Sequence, residues 1–169
     1  MKKLLAAISL ALSIATPAFA DESPFYAGVS LGSSDIGSSS STAVGALVGY
    51  KFQNVKLGNT GSLAIEGQYT SLGSFTYSDH FSSFGVDGVA LFPIGSVPNL
   101  SALGKLGVNT IIGDYHCGTF CSYSKRSGPQ LDFGFGAQYK FTPEFSLRVG
   151  YQYYDSNIDT VYAAAVFHF

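Results

Sequence analysis

From residue 25 to the end of the chain, apolar side chains recur at every second position, in segments separated by clusters of Gly, Ser, Asn, Asp and Pro. A period of two belongs to β-strands, whose successive side chains point to opposite faces. Eight such segments cover residues 25–32, 43–52, 62–74, 82–92, 100–112, 129–141, 145–154 and 161–169. The sixth is the clearest, with Leu131, Phe133, Phe135, Ala137, Tyr139 and Phe141 on one face. The pattern predicts an all-β domain, an eight-stranded antiparallel up-and-down transmembrane β-barrel.

The opposite faces carry Ser30, Lys51, Glu66, Gln68, Asp87, Lys105, Asn109, Asp132, Gln138, Arg148, Gln152 and His168, interleaved with glycines. A soluble barrel buries its apolar face, whereas a membrane barrel turns it to lipid around a polar interior. Alternation fits both, so other features decide. Aromatics sit at strand ends (Phe52, Phe92, Phe141, Phe145, Phe169), as an interfacial girdle requires. No acid or base falls on an apolar face within a strand. Phe169 closes an alternating aromatic strand, in the manner of the C-terminal signal read by the outer-membrane assembly machinery. Connections 53–61, 93–99 and 142–144 are assigned to the periplasm, and 33–41, 76–81, 113–128 and 155–159 to the cell surface. Both termini are then periplasmic.

The first twenty residues fit an export leader: basic Lys2 and Lys3, an apolar stretch too short to span a bilayer, and a small-residue ending at Ala18 and Ala20. The expected division is a cleaved signal peptide, 1–20, and a barrel domain, 21–169. Without the leader, seven basic residues face eleven acids, a net charge of −4. There is no basic stripe, so nucleic acid is not an expected partner. The expected surroundings are outer-membrane lipid and lipopolysaccharide, with the chain a monomer.

Five charges fall on inward positions: Glu66, Asp87, Lys105, Asp132 and Arg148. Counted from the strand ends, the first three lie at similar depth. Buried charges must be paired, so an interior ion-pair network is expected, filling a lumen too narrow for a channel. The competing reading is a gated ion path or proton site. Cys117 and Cys121 close a short ring in the longest loop, and in an exported chain such a pair reads as a disulfide. A metal held with His116 is the alternative, but a fourth ligand is missing nearby and no cofactor or metal is expected. The same loop holds Tyr115, Phe120, Tyr123, Lys125 and Arg126, which suit either a binding surface for a host or surface ligand or an ordinary loop resting on the rim. His80 and His116 have Asp79, Ser82, Ser83 and Asp114 nearby in sequence, without distinctive spacing, so no enzyme is expected.

Residues 134–155, GFGAQYKFTPEFSLRVGYQYYD, resemble the OmpA-like transmembrane domain superfamily. Residues 25–32, FYAGVSLG, resemble that family's first strand, and Phe169 its last residue. The resemblance implies that inward Arg148 takes part in interior ion pairing. Ending at the eighth strand, without a peptidoglycan-binding domain, makes the chain more similar to the short OmpX-like and neisserial-surface-protein-like barrels. Those members imply adhesion, host interaction or membrane integrity. A narrow pore or small-molecule conduit is the alternative, and a lipid A-modifying enzyme the third reading.

Overall fold

The computed structural model describes residues 23–37, 39–58, 60–74, 80–116, 122–155 and 158–169; for 36, 114–116, 122–126 and 155 it describes the backbone alone. The described strands are β1 (Phe25–Ile36), β2 (Ser39–Leu57), β3 (Gly61–Ser74), β4 (His80–Pro93), β5 (Leu100–His116), β6 (Ser122–Arg126), β7 (Gln130–Lys140), β8 (Phe145–Asp155) and β9 (Ile158–His168). Each pairs antiparallel with its neighbours in the order β4-β3-β2-β1-β9-β8-β7-β5, and β4 pairs with β5 to close the barrel. Phe169 donates its N–H to the Phe25 carbonyl at 3.1 Å, so first and last strands end together. We call that end basal and the opposite end distal.

β6 and β7 are two pieces of one wall strand. Both pair with β5, β7 along its basal part and β6 along its distal part. Pro129 lies between them and has no N–H to give to a ladder. Ser127 bridges the gap, donating its N–H to the Ile111 carbonyl at 2.8 Å and accepting the Ile111 N–H on Oγ at 2.9 Å. Eight wall strands therefore make the barrel.

Several strands run further than the alternation predicts. Residues 33–41, expected as a loop, supply the ends of β1 and β2, which turn at Gly37 with φ 61°. In the expected loop 113–128, β5 continues to His116 and β6 pairs back onto it. β2 also passes its expected end at 52 and reaches Leu57, through a register shift between Phe52 and Lys56. The physical reason is common to all three. Hydrophobic alternation marks where a strand has lipid on one side, and a ladder of backbone hydrogen bonds continues into water without it. At 19 residues, β2 is well beyond the roughly 9–11 that cross a bilayer.

The burial pattern is inverted relative to a soluble protein. Leu131 is 75% exposed and Val48 63%, while Glu66 is fully buried and Arg148 is 1% exposed. Apolar side chains at this exposure on every wall strand are stable only against lipid. At the basal end, ring contacts run from Tyr139 to Phe141, Phe145 and Phe167, at centroid distances of 4.8, 5.8 and 5.2 Å. Inside, an apolar cluster of Leu47, Ala64, Val89, Leu103 and Val166 lies toward the basal end, and a smaller one of Leu72, Ile111 and Tyr154 toward the distal end. The charged residues adjoin the first cluster: Val89 is the cross-strand partner of Lys105, and Ala164, of the same cluster, that of Arg148.

Candidate functional site

The interior charges are placed by strand register. Glu66 on β3 lies directly opposite Asp87 on β4. Asp87 in turn opposes Gly107 on β5, and Gly107 opposes Asp132 on β7. Lys105 is the next inward position on β5, on the basal side of Gly107, and Arg148 on β8 opposes Gln138.

Lys105 Nζ sits 2.8 Å from Asp87 Oδ2 and 3.3 Å from Glu66 Oε2. It also donates to Gln68 Oε1 at 2.9 Å and to Gln152 Oε1 at 3.4 Å. Arg148 Nη1 donates to Glu66 Oε1 at 2.6 Å, and its Nε and Nη2 donate to Gln138 Oε1 at 3.2 and 3.0 Å. Tyr26 donates its hydroxyl to the same Glu66 oxygen at 2.8 Å. The strand order sets β3 and β8 four steps apart in either direction round the wall. The Arg148–Glu66 contact therefore crosses the lumen instead of running along its lining. Both cations have carboxylate partners, which buried charges require.

Asp132 stands differently. Gln152 Nε2 donates to its Oδ2 at 2.6 Å, but Asp132 Oδ1 and Asp87 Oδ1 have no hydrogen-bond donor. Both carboxylates close over Gly107, where an added Cβ would lie 2.9 Å from Asp132 Oδ1 and nearer still to Asp87 Oδ1. Glycine at 107 makes that approach sterically open. The described interior so holds three carboxylates, Glu66, Asp87 and Asp132, against two cations. Asp132→Asn keeps an acceptor for Gln152 and removes one of two facing like charges. It is expected to leave stability unchanged or raise it by about 1 kcal/mol. Urea unfolding of the refolded barrel measures this, and a clear loss of stability would overturn it.

The remaining sequence-derived residues fall elsewhere. Cys117, Cys121, Phe120 and Asp79 lie outside the described residues. Tyr115 pairs with Tyr123, Gly113 with Lys125 and Ile112 with Arg126 along the backbone of the β5–β6 hairpin, at the distal end. His80 shares a hydrogen bond of 3.1 Å with Ser71, and His168 one of 3.0 Å with Ser146. Phe169 is 45% exposed beside the first strand. Tyr26 joins the charge network although the sequence reading leaves it out. Its even position, opposite in phase to Phe25 and Ala27, is the signal that points it inward.

The fold is similar to that of solved outer-membrane barrels. The attachment invasion locus protein Ail of Yersinia pestis superposes with a TM-score of 0.62 at 16% identity, covering 85% of this chain and 95% of that one. The N-terminal β-barrel domain of Pseudomonas aeruginosa OprF gives 0.60 at 13% identity, covering 85% and 97%. Neisserial surface protein A gives 0.58 at 16% identity, covering 87% and 98%. At these identities the likeness is one of fold. No curated protein matches the sequence significantly. The family described as the outer membrane protein beta-barrel domain matches residues 4–169, and the chain belongs to it.

Proposed function

We propose that this outer-membrane barrel is sealed and non-catalytic, and that it serves adhesion or membrane integrity through its distal surface. The observation that carries the reading is the Arg148–Glu66 bond of 2.6 Å across the lumen. An ion path at this level would have to part that pair and the Lys105 contacts together. Eight strands leave an interior that side chains fill, and the cavity on the distal side of Lys105 holds only about 20 Å³. With transport closed off, the distal hairpin is what the chain offers to a partner.

In this reading the leader is removed before Asp21, the basal end faces the periplasm, and a Cys117–Cys121 disulfide ties the hairpin tip. Tyr115, Phe120, Tyr123, Lys125 and Arg126 then form a surface of aromatic and basic character suited to an anionic host or surface ligand. Ail has been solved in complex with the heparin analogue sucrose octasulfate, which supports trying sulfated polysaccharides first.

The test has two arms. Refolded protein in a planar bilayer is expected to be electrically silent, and Lys105→Met to lower heat resistance without opening a current. Cells displaying the chain are expected to bind a sulfated matrix, and deletion of residues 113–128 to abolish that binding. Steady single-channel currents would overturn the sealed interior, and undiminished binding by the deletion would overturn the surface role.

A further inference from the structure

The basal mouth of the barrel opens into a bowl of about 460 Å³, within the range of pockets that hold small molecules. Its floor is the sealed network, reached at Tyr26, Gln138 and Arg148. Its rim bears Lys51 on β2, Lys140 on β7 and His168 on β9. No Asp or Glu stands among its described lining residues.

The two lysines share a specific geometry. Each falls on the inward phase of its strand, in step with Gly49 and Gln138 respectively. The strand order places β2 and β7 four steps apart either way round the wall, so Lys51 and Lys140 face each other across the mouth. His168 lies on the arc between them, and the charges of Lys140, Lys51 and Arg148 all bear on its ring. Arg148 is matched by Glu66, but neither lysine has a carboxylate within ion-pair distance among the described residues. The rim therefore sets two ammonium groups, without an ion-pair partner among the described residues, over a closed floor, an arrangement that attracts anions.

We propose that the basal mouth is a binding site for a small polyvalent anion, bearing phosphate or carboxylate groups, held between Lys51 and Lys140. A single anionic group meets one ammonium closely, whereas a ligand with two or more can engage both sides of the rim. The Ser62 and Ser101 hydroxyls, also in the lining, supply neutral donors. Because the floor is closed, the anion binds and leaves by the same opening.

The experiment titrates inorganic pyrophosphate, at constant ionic strength, into the refolded barrel in nanodiscs of zwitterionic lipid. Backbone amide signals of Lys51, Lys140 and His168 are followed by NMR. A saturable curve is expected. Lys51→Gln and Lys140→Gln are each expected to weaken it about fivefold, and the pair together to remove saturation. Lys56→Gln, a nearby exposed lysine outside the bowl, should bind like the parent. Acetate should bind more weakly than pyrophosphate. Shifts that never saturate, or that the double variant leaves unchanged, would overturn the site. Equal weakening by Lys56→Gln would reduce it to general surface charge, and acetate binding as tightly as pyrophosphate would refute the preference for polyvalent ligands. All three lysines lie outside the interior ion-pair network, and heat-modifiable gel mobility verifies that each variant folds.

Discussion

Arg148→Met is expected to cost the folded barrel about 3–5 kcal/mol, the loss typical when one member of a buried ion pair is removed and the other charge stays behind. Methionine fills much of the space but supplies none of the three donor contacts that Arg148 makes to Glu66 and Gln138. Glu66 Oε1 keeps only the Tyr26 hydroxyl, and Lys105 is left as the single cation facing three carboxylates in the described interior. Adding Glu66→Gln removes one of the three carboxylates that Lys105 then faces alone. The double variant is therefore expected to be less damaged than the sum of the two single changes, by about 1 kcal/mol or more. Unfolding in urea, or the temperature at which the folded band converts on unboiled gels, measures all three variants. A wild-type transition in Arg148→Met would show that the bond across the lumen does not contribute to stability.

Much of this architecture is legible in the sequence because a membrane barrel writes its two solvents into alternate positions. Leu131, Phe133 and Phe135 face outward while Asp132 between them is buried, as a period of two requires. Depth is legible only between neighbours. Glu66 and Asp87 do lie opposite one another, yet Lys105 pairs with Val89, and its long side chain is what brings the ammonium to both carboxylates. The contact between Arg148 and Glu66 could not be read in the same way. It joins strands on opposite sides of the barrel, and which residues meet across a lumen depends on closure and stagger, not on local spacing. The distal strand ends were illegible for another reason. The serines of residues 33–41 carry no apolar mark, so a water-exposed ladder and a loop look alike.

Close backbone approach is the other feature that composition conceals, since twenty glycines look equivalent in the sequence. Gly49 and Gly104 separate them in one experiment. Gly49 on β2 is the cross-strand partner of Tyr26, and the tyrosine ring lies directly over it. A Cβ at Gly49 would fall 2.5 Å from Tyr26 Oη and closer still to the ring carbons. The ring has little room to move, being 4% exposed, 5.5 Å from the His168 ring, and tethered by its hydroxyl to Glu66. Gly49→Ala is therefore expected to cost about 3 kcal/mol, combining overpacking with the weakened hydrogen bond to a charged acceptor. Gly104 faces outward on β5 with nothing within 4 Å of an added Cβ, so Gly104→Ala should leave stability unchanged. In a Tyr26→Ala background the Gly49→Ala change should cost little, because the ring it strikes is gone. Equal losses from the two glycine changes would show that backbone freedom, and not the aromatic ring above it, sets the requirement at Gly49.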